Sequence, residues 1–196
     1  MATTTPKREA IQAEVLRATE ALLAEGASWN DLGVERIATT AGISRTAFYF
    51  YFSDKRELLT RLAVDVMGDL YVAADQWFSG EGDPEEEARE AIGDIAALWG
   101  EHSALLRVMV EVSTYDDEVA ASWRSIVGRF VDATRARIER EQAAGRASAF
   151  DAAANAYALV WMGERVLYQW AMGESGLTRD EAVDALVRVF LSAIYG

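Results

Sequence analysis

Apolar residues return every third or fourth position through most of this chain, and only two prolines, Pro6 and Pro84, stand against the helices that such spacing implies. In the first stretch Ile11, Val15, Ala18 and Leu22 form one apolar stripe, which Gly26 ends. Alanine, leucine, glutamate and arginine dominate, and no run of alternating β-branched residues competes with them. The expected fold class is all-α. The spacing predicts about nine helices, over 7–25, 34–40, 44–51, 54–79, 85–101, 103–113, 116–143, 149–174 and 178–195. The loop Gly80–Pro84, His102, Thr114–Asp117, Gly145 and Gly173–Gly176 supply the breaks.

Several function classes fall away on composition. The chain has no cysteine, so disulfides and thiolate chemistry are excluded. Its one histidine, His102, follows Gly100-Glu101 at a helix break and reads as a cap or surface residue, because one histidine without cysteine does not make a typical zinc site. Glu85-Glu86-Glu87 and Asp116-Asp117-Glu118 fall in helix first turns, where acids favour the helix dipole, and read as capping and solvation rather than metal ligation. No nucleophile–base pair and no glycine-rich phosphate loop is present, so no enzyme and no cofactor is expected. Met1 to Arg8 lacks the apolar run of a secretory signal. The apolar stretch over 157–172 is interrupted by Gly163, Glu164, Arg165 and Gln169, so it should not span a bilayer. The expectation is a soluble, cytoplasmic protein.

Charge argues against nucleic acid at first sight, since the formal net charge is −13. Its distribution softens the objection. Residues 1–62 balance eight basic against eight acidic side chains, whereas 63–196 set eleven against twenty-four and hold the whole excess. A neutral head on an acidic body binds DNA if its cations share one face.

A short helix over 34–40, the turn residue Gly42 and a second helix opening at Ser44 give the spacing of a helix-turn-helix. Ser44 is a good N-cap, because its hydroxyl can accept from an otherwise unpaired backbone N–H. Ile43 before the cap and Phe48 four residues past it have the spacing of a hydrophobic staple. Asp54 and Glu57 have capping-box spacing at the start of the fourth helix. On this reading Arg45 pairs with guanine, Thr46 offers a hydroxyl or methyl contact, and Tyr49, Tyr51 and Lys55 hold phosphate. Phe48, Phe50 and Phe52 read mostly as core. The competing reading, a small helical subdomain packed on aromatics, fits the same pattern.

The run Ala41-Gly42-Ile43-Ser44, followed by Phe48-Tyr49-x-Tyr51-Phe52-x-x-Lys55 and Leu58, resembles the signature of the TetR family of regulators. The resemblance covers about thirty residues, and it includes one helix before the motif and an all-helical body after it. It implies DNA contacts at Gly33, Thr39, Ser44, Arg45, Thr46, Tyr49, Tyr51 and Lys55. Leu32-Gly33 departs from the threonine pair that often caps the second helix in that family. Glycine can cap, but a hydroxyl contact to phosphate is lost there. Within the family, Phe48–Phe52, Met162-x-Glu164-Arg165-x-Leu167 and the ending Ile194-Tyr195-Gly196 resemble the ethionamide-regulator subfamily.

The body is rich in aromatics, and these either fill a core or line an apolar cavity. The family resemblance implies a cavity among the middle helices, lined on this sequence by Ile92, Ile95, Trp99, Met109, Trp123, Val127, Phe130, Trp161 and Tyr168. The subfamily carries two ligand-bonding asparagines where this chain has Val160 and Gly163. Other polar partners are then needed, with Glu164, Arg165 and the hydroxyl of Tyr168 as candidates. Glu164 and Arg165 equally well satisfy each other at a dimer edge. The helix over 157–172 is apolar almost all round, which calls for burial on both sides, against the core and against a partner subunit.

Together these readings describe a helix-turn-helix domain over 1–53, extended by the start of helix four to about 62, and a ligand-binding and dimerisation domain over 54–196. The expected function is a ligand-responsive repressor. It would bind a roughly palindromic DNA operator as a homodimer through helices 149–174 and 178–195, and be released by a small apolar or weakly polar ligand. The alternative is a helical small-molecule carrier without DNA-binding activity, which the neutral head slightly favours.

Overall fold

The computed structural model describes residues 6–196, with side chains from Arg8 onward. Part of the N-terminal stretch read above as carrying no secretory signal therefore lies outside the described residues. Ten α-helices and no strand are present among the described residues. They are α1 (Pro6–Ala24), α2 (Val34–Thr40), α3 (Arg45–Tyr51), α4 (Lys55–Ala73), α5 (Asp75–Ser79), α6 (Pro84–Glu101), α7 (Ser103–Val112), α8 (Asp117–Ala143), α9 (Ala152–Ala171) and α10 (Arg179–Tyr195). The all-helical expectation holds. No helix of the described residues is long and apolar enough to cross a membrane.

Helices α1, α2 and α3 form a head, in which α1 packs on α2 and α2 on α3. Val15, Leu22, Leu23, Ile37, Ala38, Phe48 and Phe52 are among its buried apolar residues. Long α4 leaves the head and packs on α6, α7 and α8. In the body α8 lies along α9, and α6 along α10.

Local chemistry sets most helix starts. Asp83 accepts from the backbone N–H of Glu85 at 2.9 Å and of Glu86 at 3.0 Å, with Pro84 in the first turn, where its missing N–H costs nothing. Asp54 accepts from Glu57 N–H at 2.8 Å, while the Glu57 carboxylate accepts from Ser53 N–H at 2.7 Å, one residue wider than a regular capping box. Thr178 and Glu181 form the full reciprocal box on α10.

Two expectations need correction. The single helix predicted over 54–79 is two helices, α4 and α5, broken at Ala74, so the count is ten rather than nine. No glycine or proline marks that break. Tertiary contacts hold the far end of α5: Arg137 on α8 donates to the Trp77 carbonyl at 2.8 Å and to the Gly80 carbonyl at 2.9 Å, and Arg140 donates to the Phe78 carbonyl. These arginines satisfy carbonyls that a short helix leaves open at its C-terminal end. Trp77 and Phe78 on this short helix are both buried. Second, Glu87 is more than a solvated first-turn acid. It is half-buried, and its carboxylate accepts from Arg137 at 2.8 Å and from Gly82 N–H at 2.7 Å. Asp116 does cap, accepting from Glu118 and Val119 N–H at 3.1 Å, but it also pairs with Arg56 on α4 at 2.8 Å.

Candidate functional site

Two separate features stand out as candidate sites. The first is the exposed face of α3. Gly42 adopts φ 69°, a left-handed conformation that L side chains rarely take, and so turns the chain sharply between α2 and α3. Ser44 then caps α3 in extended conformation, and its hydroxyl accepts from Ala47 N–H at 3.1 Å. Phe48 is fully buried and Phe52 nearly so, with ring centroids 5.4 Å apart. These two rings anchor α3 in the buried core, where α3 packs on α2. The opposite face is free: Ser44, Arg45, Thr46 and Tyr49 are exposed, with the Arg45 guanidinium 6.0 Å from the Tyr49 ring centroid. Thr39 and Gly33 are exposed on α2 and at its N-cap. A protruding helix start with a cation, a hydroxyl and a phenol on one face suits base edges and phosphates.

Phe50 corrects the reading of all three phenylalanines as core. It is 68 % exposed, against an Arg8 guanidinium 5.2 Å from its ring centroid. Two helical residues turn the chain by about 200°, so Phe50 must face away from Phe48. Tyr51 is half-buried, edge-on to Phe50 at 5.2 Å. Lys55 is also half-buried. Its ammonium donates to the carbonyls of Trp29 and, at 3.0 Å, Leu32, and lies 4.6 Å from the Trp29 ring centroid. Burial lowers its pKa, while Asp31 works in the opposite direction. This ammonium therefore ties α4 to the 29–32 turn.

Gly33 caps α2 without a side-chain bond, at φ −77° and ψ 150°, and an added Cβ would meet open space. Gly33→Thr should therefore fit and supply the missing cap. A gain of about 0.5 kcal/mol is expected, seen as a rise of about 1–2 °C in melting temperature. A fall would show that the turn before α2 needs glycine.

The second feature is a cavity of about 100 Å³ among α4, α5, α6, α8, α9 and α10. Five of the residues expected to line it do so: Ile92, Ile95, Trp99, Val127 and Phe130. Four lie elsewhere. Met109 and Trp123 are buried in the surrounding core, Trp161 packs against Tyr157 at 6.1 Å, and Tyr168 lies under the Arg165 guanidinium at 4.9 Å. From α9 the lining is Val160, Gly163, Glu164 and Leu167 instead. Those four stand at i, i+3, i+4 and i+7, one face of the helix. Trp77 and Phe78 also line the cavity, beyond the residues that the family resemblance implies.

The cavity wall is apolar except at Trp77, Thr134 and Glu164. Glu164 is buried, and neither of its carboxylate oxygens has a hydrogen-bond partner. Its nearest cation, Arg165 Nε, stands 3.8 Å away on a half-exposed side chain. Burial pushes the Glu164 pKa up, and Arg165 offsets only part of that. Arg165 points to the Tyr168 ring, so of the proposed polar partners only Glu164 reaches the cavity.

Head and body meet through polar contacts as well as packing. His102, between α6 and α7, bonds through Nδ1 to Glu20 on α1. Arg56 on α4 pairs with Asp116 and Glu118 at the start of α8, and the Tyr115 hydroxyl donates to Asn30 at 3.2 Å.

Comparison with known proteins agrees with this geometry. Residues 15–62 match the family model "Bacterial regulatory proteins, tetR family", and residues 88–196 match "Transcriptional regulator EthR, C-terminal domain". The chain is 30% identical over 198 residues to the HTH-type transcriptional regulator EthR of Mycobacterium tuberculosis, spanning 99% of this chain and 91% of that protein. The EthR protein of Mycolicibacterium smegmatis is 29% identical over 97% of this chain and 89% of its own length. Among solved structures, the Bacillus subtilis regulator FadR in complex with stearoyl-CoA superposes with a TM-score of 0.77 at 16% identity, over 93% of this chain and 98% of that one. SmeT, repressor of the Stenotrophomonas maltophilia multidrug efflux pump SmeDEF, gives 0.75 at 20% identity, over 94% and 90%. The chain belongs to the TetR family of helix-turn-helix transcriptional regulators, with a C-terminal domain of the EthR type.

Proposed function

We propose that the protein is a dimeric repressor which leaves its operator when a small apolar or weakly polar ligand fills the body cavity. One observation carries the DNA half of this reading: Ser44, Arg45, Thr46 and Tyr49 share an exposed face on a helix that Phe48 and Phe52 hold rigidly from behind. Support for the dimer comes from α9 and α10, where Tyr157 is 60 % and Val189 42 % exposed, large apolar side chains that a second copy would cover. Pairing through these helices would set two α3 helices about one DNA turn apart, on a roughly palindromic site in the cytoplasm.

Ligand response would run through α6. This helix carries Ile92, Ile95 and Trp99 into the cavity and ends at His102, which bonds Glu20 in the head. A ligand that spreads the cavity wall would shift the end of α6 and, with it, the angle of α1. Binding favours the arrangement of the two heads that it fits best, and the operator fits another.

The test is a gel shift on the DNA upstream of the protein's own gene. Arg45→Ala should weaken binding by about 1–3 kcal/mol, and Trp161→Ala should leave it within a few-fold. Unchanged affinity in Arg45→Ala would end the assignment of α3 as the reading helix.

A further inference from the structure

Buried side-chain polar atoms without a hydrogen-bond partner are few among the described residues: Trp77 Nε1, Arg137 Nε and the two Glu164 oxygens. Arg137 Nε at least faces a charge, with Glu141 Oε1 3.3 Å away. The other three atoms belong to Trp77 and Glu164, which line the same apolar cavity. Burying such groups unpaired costs stability, and native folds rarely keep them without a reason. Here the cost falls in one place. Elsewhere this chain satisfies its buried charge thoroughly, as the four partners of the Arg137 guanidinium Nη atoms show.

The chemistry of the two groups defines what would complete them. The Trp77 indole N–H can only donate. A carboxylate enclosed by apolar walls, with its one cation 3.8 Å off and half in solvent, is better neutral than charged. A neutral carboxyl both donates and accepts. Neighbouring Val160 and Gly163 add no polar group on the same face of α9.

We infer that the cavity selects an uncharged ligand whose one polar group both accepts and donates hydrogen bonds, as a carboxamide does, carried on an apolar chain. Its carbonyl accepts from the Trp77 indole or the Glu164 hydroxyl, and its N–H donates to the remaining Glu164 oxygen. The apolar chain lies against Phe130, Leu167 and Phe190. Glu164 and Trp77 are thus the specificity-determining residues of the site. This rests on the reading of the cavity as the ligand site.

Three compounds of equal chain length separate the options: hexanamide, hexanoate and hexylammonium. Each is titrated calorimetrically into the full chain at pH 7 without DNA. Hexanamide should bind about tenfold tighter than either ion, the worth of one satisfied buried polar contact. Glu164→Gln, which keeps a donor and an acceptor, should hold hexanamide within about threefold. Glu164→Leu and Trp77→Phe should each weaken it about tenfold. Free Glu164→Leu should melt higher than the parent protein, because its unpaired group is gone; that shift also shows that the variant folds. A preference for hexylammonium would mean that Glu164 is ionised, and would overturn the inference. So would equal binding of all three compounds, a failure of all three to bind, or a lower melting temperature in free Glu164→Leu. No DNA enters this measurement, so its failure leaves the operator contacts of α3 standing. A failed Arg45→Ala gel shift would likewise leave the cavity chemistry untouched.

Discussion

Arg137→Ala should lower the melting temperature by about 10 °C, the largest stability loss expected from one change in the body. The side chain is 1 % exposed, yet it carries a full charge. It donates to the Trp77 and Gly80 carbonyls, to the Glu87 carboxylate at 2.8 Å and to the Tyr195 hydroxyl at 3.2 Å. Its guanidinium carbon also lies 4.8 Å from the Trp77 ring centroid. Truncation would take the arginine donor from two carbonyls and leave the half-buried Glu87 carboxylate with Gly82 N–H alone, and would take a cation from beside buried Glu141. Breaking a buried pair from one side costs about 3–5 kcal/mol. Each kcal/mol moves the midpoint of a chain of this size by about 2–4 °C. Thermal unfolding followed by circular dichroism measures it. A shift below about 3 °C would mean that Arg137 is a bystander, and that α5 is placed by the burial of Trp77 and Phe78 alone.

Phe48→Ala should abolish operator binding in a gel shift while the body stays folded. The ring is fully buried, against Phe52 at 5.4 Å and Tyr49 at 5.5 Å. Emptying such a site costs about 3–5 kcal/mol. In the head that cost falls on only three helices, two of them seven residues long. Short helices depend on packing rather than on their own propensity, so α3 should lose its orientation first. Phe50→Ala is the control, because Phe50 is 68 % exposed and its loss removes little buried area. Equal damage from the two substitutions would show that the helix phase is wrong.

The contrast between those phenylalanines also shows how far the sequence could be read. The turn and the start of α3 were legible because their causes are local: Gly42, the Ser44 cap and the pair Ile43 and Phe48 lie within seven residues. The exposed position of Phe50 followed from helix phase and was within reach of the sequence. The capping of α5 was not, since the arginines that provide it lie about sixty residues further along the chain. On α6 and α8 the residues Ile92, Ile95, Trp99, Val127 and Phe130 could be found from the apolar faces, whereas Trp123 on α8 lies outside the lining. Helix α9 is apolar nearly all round, so periodicity could not say which stripe turns inward. Choosing by residue type led to Trp161 and Tyr168, whereas Glu164 and Leu167 hold the inner stripe. Lys55 shows a further limit: its place after the aromatic run suggested phosphate, and only the fold reveals two carbonyls waiting for it.

The unpaired polar groups of the proposed ligand site lie on two helices, Trp77 on α5 and Glu164 on α9, and neither belongs to the head. Recognition of the small molecule and recognition of the operator can therefore drift apart, one changing while the other is preserved. A lineage that replaced those two side chains would answer to a new signal while addressing the same genes. For the same reason the scaffold suits a biosensor. A library confined to the lining of α5 and α9 would retune what the protein detects, and the reporter wired to its operator would need no redesign.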